Sequence, residues 1–181
     1  MCSSDLTDMK ANAEIERLLL ACPGDMGALE QLYRLMKRDI FAFAYSLLGD
    51  VPLAEDCVQE TFARLPRAAA RLRNPGSGKA FVFAVARHAA MELLRKKPPA
   101  AEPPADLPDD AGDFTRTVEA AQILLRLDEP ERQILVLHIY CGWTFRQIAA
   151  LLDRPASTVK SCYARAKSRV RQEWRNANDL V

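Results

Sequence analysis

Absences narrow this chain first. Its five cysteines (Cys2, Cys22, Cys57, Cys141 and Cys162) are odd in number and contain no C-x-x-C pair. Neither a disulfide framework nor a thiol metal site is signalled, and the cysteines read as reduced, small, buried hydrophobes. Histidine occurs only twice, at His88 and His138. His138 and Cys141 lie three apart on a helix, but no second ligand pair stands near them, so no metal is expected. There is no nucleophile–base constellation and no glycine loop suited to phosphate, which argues against an enzyme; no cofactor is expected. No apolar run is long enough to cross a membrane. The N-terminal MCSSDLTDMKANAE lacks the apolar core of a signal peptide. A cytoplasmic location with no membrane contact of its own is the expectation. Strand-like alternation and internal repeats are also missing. What remains is helical, and the expected fold class is all-α.

The clearest pattern lies between Leu127 and Arg175, LDEPERQILVLHIYCGWTFRQIAALLDRPASTVKSCYARAKSRVRQEWR. Asp128 or Glu129 suits the cap of a first helix, Pro130 its first turn, and Gly142 its left-handed end. Thr144 with Gln147 three residues on forms a capping box for a second helix, whose stripe is Phe145, Ile148, Ala149, Leu151 and Leu152. Pro155 opens a third helix. Val159, Tyr163, Ala166 and Val170 fall on one face of it at the helical repeat. Arg154, Ser157, Ser161 and Arg165 fall opposite, flanked by Thr158 and Lys160. Lys167, Arg169, Arg171 and Arg175 extend the positive charge. Short polar groups and cations are the residue types that bond base edges and phosphates. A basic amphipathic helix alone reads as a solvated face. Preceded by two capped helices and a tight turn, it reads as the DNA-reading helix of a helix-turn-helix.

A net charge of +1 sits oddly with DNA binding until its distribution is examined. The stretch 98–114, PPAAEPPADLPDDAGDF, holds five acids and no cation; without it the chain carries a formal charge of +6. Prolines at 98, 99, 103, 104 and 108 make it a poor helix and a semi-rigid linker. As polyproline II it would span roughly 50 Å at about 3.1 Å per residue, more than one DNA turn of about 34 Å. The expected organisation is therefore two small, independently folded helical domains, 1–97 and 115–181, joined by a Pro-rich acidic linker at 98–114.

In the first half, a short helix over Glu14–Ala21 breaks at Cys22-Pro23-Gly24-Asp25. A long one spans Gly27–Leu48 and ends at Gly49. A third follows Asp50 and Pro52. Its inner face is Ala54, Cys57, Val58, Phe62 and Leu65, and its outer face Glu55, Asp56, Gln59 and Glu60. Pro66 should kink or end this helix near Leu65. Arg73-Asn74-Pro75-Gly76-Ser77-Gly78 is a loop. The next helix, Lys79–Lys97, places Phe81, Val82, Val85, Ala89, Leu93 and Leu94 inside, and Lys79, Arg87 and His88 outside.

The strings GDVPLAEDCVQETFARL, KAFVFAVARHAAMELLRKK and STVKSCYARAKSRVR together resemble bacterial extracytoplasmic-function (ECF) sigma factors, over about residues 14–175. The resemblance implies a protein that binds core RNA polymerase, recognises promoter DNA both double-stranded and melted, and is controlled by an anti-sigma factor. It implies that Asp56, Gln59 and Glu60 dock on the polymerase clamp, acids suiting a basic partner. It implies that Arg73 and Asn74, with Lys79, Arg87 and His88, meet the melted downstream element, where cations and rings suit a single strand. Arg154, Ser157, Thr158, Lys160, Ser161 and Arg165 would meet the upstream element. Phe81 stands where tryptophan is usual and reads as core; His88 replaces asparagine, Glu92 aspartate, Ser157 glycine and Cys162 arginine. Two other classes use similar helices: a homodimeric helix-turn-helix repressor or response-regulator output domain, and a purely protein-binding module. No self-complementary interface or receiver domain is evident for the former.

Overall fold

A computed structural model describes residues 3–70, 78–96 and 123–178, with side chains described for 12–70, 78–96 and 123–175. Arg73, Asn74, Cys2 and the linker 98–114 lie outside the described residues. Among those described, every regular element is helical: α1 (Ser3–Ala21), α2 (Met26–Leu48), α3 (Val51–Ala69), α4 (Gly78–Lys96), α5 (Glu129–Leu135), α6 (Phe145–Leu152) and α7 (Ala156–Asn178). A π-helical turn, Val136–Tyr140, continues α5.

The first four helices wrap one core, and local signals set their ends. Asp25 caps α2, its carboxylate accepting from the Gly27 and Ala28 N–H groups. Leu32, Met36, Ile40 and Phe43 form the buried stripe of α2. Gly49 ends the helix at φ 63°, a conformation a side chain resists. Asp50 then caps α3 through the Leu53 N–H at 2.9 Å. Gly78 opens α4 where a Cβ would stand 2.9 Å from the Glu16 backbone, so α1 and α4 touch main chain to main chain. Asn12 of α1 supplies the acceptor for the Lys79 N–H at 3.1 Å.

Two expectations about this half are corrected. The first helix begins at Ser3, not Glu14. And of the kink or end expected at Pro66, the end does not occur: α3 runs through Pro66 to Ala69, with the Ala70 N–H closing on the Pro66 carbonyl. Leu65 and Ala69 are both buried, one on each side of the proline. That burial holds the last turn against a penalty of about 3 kcal/mol for proline in a helix interior.

The second half follows the capping chemistry closely. Thr144 and Gln147 bond reciprocally, the Gln147 N–H donating to Thr144 Oγ1 at 3.3 Å and the Thr144 N–H to Gln147 Oε1 at 2.8 Å. Gly142 is left-handed at φ 71°. Asp128 occupies the N-cap of α5 but makes no side-chain cap; its carboxylate goes to Arg169 instead. His138 Nδ1 meets the Trp143 carbonyl at 2.7 Å, and its ring stacks on Phe145 and meets Tyr163 edge-on. On α7, Val159, Cys162 and Ala166 are buried, while Tyr163 and Val170 are half-buried.

The two halves pack against each other. Their buried residues form one continuous cluster. Trp143 packs on Phe83 with ring centroids 4.7 Å apart. Arg132 of α5 donates to the Ser46 carbonyl of α2 and to the carbonyls of Leu125 and Leu127. Lys79 Nζ reaches the Cys141 carbonyl at 2.9 Å and the Asp39 carboxylate at 3.6 Å. The reason is composition at the contact: large rings and a desolvated guanidinium bury more together than apart. Trp143 Nε1 is buried there with no hydrogen-bond partner among the described residues. None of the described helices is long and apolar enough to cross a membrane.

Candidate polymerase and nucleic-acid interfaces

Three surfaces collect the charged residues singled out in the sequence. The first is a groove of about 420 Å³ between α3 and α4. Asp56, Gln59, Glu60 and Arg64 line it from α3, and Ala89, Glu92, Leu93 and Lys96 from α4. Asp56, Gln59 and Glu60 are all exposed, as expected for one polar face of an amphipathic helix. Arg64 bridges the groove, its Nε donating to Glu60 and its Nη2 to Glu92, each at 2.6 Å. The Arg64 guanidinium holds the Glu92 carboxyl below the usual range. The groove is thus lined by three acids, one amide and two cations, together with alanine and leucine.

The second surface is α4. His88 is exposed and Arg87 half-buried. Lys79 is placed differently from expectation. It is half-buried in the seam between halves, committed to Asp39 and the Cys141 carbonyl. Burial pushes the Asp39 carboxyl up, against the pull of Lys79. Phe81 is partly buried against the core, as its core reading implied.

The third surface is the outer side of α7. Arg154, Ser157, Lys160, Ser161 and Arg165 are exposed and Thr158 half-buried. Ser161 Oγ donates to the Thr158 carbonyl at 2.9 Å, leaving its oxygen lone pairs outward. Arg165 does not stand squarely opposite the buried face. It leans toward α5, where its Nε meets Glu131 Oε1 at 3.0 Å.

Sequence reasoning missed Arg64, Glu92 and Glu131 as members of these surfaces. Arg64 carried a signal, since Glu60 lies four residues before it on the same helix. Glu131 carried none, because its partners come from another helix more than thirty residues away. His138 and Cys141 point apart: the imidazole faces the Trp143 carbonyl, and Cys141 Sγ faces the Asp39 carbonyl. Burial pushes the Cys141 thiol up, and that of Cys57 up to about 11, so both stay protonated.

Two family models match in succession, Sigma-70 region 2 over residues 32–98 and Sigma-70, region 4 over residues 117–170. Together they define a two-region sigma factor. Among curated relatives, the ECF RNA polymerase sigma factor SigC of Mycobacterium tuberculosis is 29% identical over 157 residues, covering 82% of this chain and 84% of its own. SigW of Bacillus subtilis is 24% identical, covering 84% and 92%. The chain belongs to the ECF RNA polymerase sigma factors. It is a transcription-initiation factor that binds core RNA polymerase, recognises promoter DNA and promotes its opening. Solved structures share the fold. One is the sigma factor RpoE in complex with the anti-sigma factor NepR from Bartonella quintana, with a TM-score of 0.70, 21% identity, and coverage of 81% of this chain and 96% of that one. Another is CnrH in complex with the cytosolic domain of CnrY, with a TM-score of 0.68, 20% identity, and coverage of 88% and 96%.

Proposed function

We propose that the three surfaces divide the work of initiation among named residues. Asp56, Gln59 and Glu60 dock on core polymerase through the groove between α3 and α4. Arg87, His88 and Lys79, with Arg73 and Asn74 outside the described residues, meet the melted downstream strand. Ser157, Thr158, Lys160, Ser161 and Arg165 lie on the helix that enters the upstream element, and Arg154 just before its start. The observation that carries this reading is the groove itself. It sets the exposed Asp56, Gln59 and Glu60 beside alanine and leucine, which suits a basic, amphipathic partner helix. The boundaries 1–97, 98–114 and 115–181 go with it, supported by the matched stretches 32–98 and 117–170. The factor acts in the cytoplasm and is not an enzyme: it performs no covalent step, and its binding energy compensates for unstacking a base, a few kcal/mol.

Control by an anti-sigma factor belongs to the same reading, supported by the two structural relatives, each solved with a partner bound. Lys79 is engaged across the seam, so its strand contact requires the bond to Cys141 and the Asp39 pair to break first. A partner that tightens the seam withholds Lys79 from DNA.

Charge reversal at Asp56 and Glu60 tests the docking assignment. Affinity for core polymerase should fall while helicity and melting temperature stay near wild type, because both side chains are exposed. Unchanged affinity removes these residues from the interface.

A further inference from the structure

Buried acids are costly unless paired, and α5 carries one. The Glu131 side chain is 4% exposed, between α5 and α7. Its Oε1 accepts from Arg165 Nε and its Oε2 from Arg169 Nη1, both at 3.0 Å. Arg169 Nη1 also meets Asp128 at 2.7 Å. Both arginine side chains remain about half exposed or more, at 63% and 49%, so the core does not need them as filler. Two of the cations on α7 are thus neutralised along the flank that faces α5.

The other flank differs. Lys160, Lys167 and Arg171 stand at i, i+7 and i+11, one stripe of the helix. All three are exposed and make no ion pair among the described residues. A cation already paired with a carboxylate, as Arg165 is with Glu131 and Arg169 with Glu131 and Asp128, gains little from a phosphate, whereas a free one displaces a counterion on contact. With charge on one flank only, the helix has one favoured orientation against the backbone, and phosphate contacts are what fix orientation and register.

We propose that Glu131 is a positioning residue that withholds Arg165 and Arg169 from DNA phosphate, so that α7 binds its site by the Lys160–Lys167–Arg171 stripe and reads it with the short polar groups beside it. The proposal rests on the reading of α7 as the upstream-element helix. It revises one part of that reading: Arg165 orients the helix instead of reading a base.

The test is promoter binding by the assembled holoenzyme over a series of salt concentrations, on cognate and scrambled upstream elements. Glu131→Gln combined with Asp128→Asn keeps a capping side chain at 128 and removes both negative charges. The slope of log affinity against log salt should steepen by roughly 0.9 for each arginine that reaches a phosphate, about 1.8 if both do. The ratio of cognate to scrambled binding should fall. Adding Arg165→Ala and Arg169→Ala to that background should restore the wild-type slope, a reversal that mere loosening of the fold does not produce. In the wild-type background each arginine variant alone should leave the slope unchanged. A shallower slope for either single variant overturns the proposal, and this arm holds even if the Glu131 variant folds poorly. An unchanged slope in a folded Glu131→Gln/Asp128→Asn protein overturns it as well. Lys160→Ala separates the two levels: it should flatten the slope by about 0.9. If it does nothing, the α7 reading fails and the proposal falls with it.

Discussion

The two halves of this sigma factor solve the same problem with opposite charges. In the first, one arginine holds two acids: Arg64 ties Glu60 to Glu92 across the groove between α3 and α4. In the second, one acid holds two arginines: Glu131 gathers Arg165 and Arg169 against α5. The difference lies in depth. Arg64 and its partners are each at least a third exposed, so solvent screens the network. Glu131 is buried, so its partners are required. The groove network therefore shapes a surface, while the Glu131 network sets how one helix lies on another.

The largest expected effect comes from the ring contact that joins the halves. Trp143→Ala removes a buried ring from between Phe83 and the π turn, and should destabilise the protein by about 3–5 kcal/mol. Thermal unfolding of the full chain measures this. A loss under about 1 kcal/mol means the seam contributes little, and the halves are more separate than their shared core implies.

Next comes the contrast in depth itself. Joint replacement of Arg165 and Arg169 by alanine leaves the Glu131 carboxylate without either guanidinium, whereas Arg64→Ala leaves two carboxylates already in solvent. The double variant should lower the melting temperature clearly more than Arg64→Ala, which should barely move it. Equal shifts would erase the distinction between a structural and a surface network. Arg64→Ala should still weaken polymerase binding, because Glu60 loses the bond that orients it in the groove; titration with core polymerase checks this.

A smaller effect is expected at the seam and depends on pH. Burial raises the Asp39 carboxyl above the ordinary aspartate value of 3.8. The folded state therefore holds this proton more tightly than the unfolded chain. Its stabilising share is complete below that value and is lost as pH rises through the folded pKa. The melting temperature of the wild type minus that of Asp39→Asn should be greatest at acid pH and shrink as pH rises. A difference that grows with pH would mean that the attraction of Lys79 outweighs desolvation.

Much of the fold was legible one helix at a time. Gly49, Gly142, Asp50 and the Thr144–Gln147 box mark the ends they were expected to mark, because capping is a short-range matter of which N–H groups lack partners. Pro66 misled for the complementary reason: a local penalty was outweighed by burial of Leu65 and Ala69, which no local rule sees. The site residues divide in the same way. The exposure of Asp56, Gln59, Glu60, Ser157 and Ser161 followed from helical periodicity. The engagement of Lys79 and Arg165 did not, because their partners, Asp39 and Glu131, are distant in sequence.

By itself, then, the sequence determined the helices, their caps, which side of each would be buried, and the likeness of its motifs to a sigma factor. These depend on contacts within a few residues, where the periodicity of the helix dictates what lies beside what. Only the tertiary structure decided that the two halves share a core, that Lys79 is held in their seam, and that α7 is charged on one flank and neutralised on the other. Each of these rests on groups brought together from far along the chain, where burial makes a charge depend on its partner.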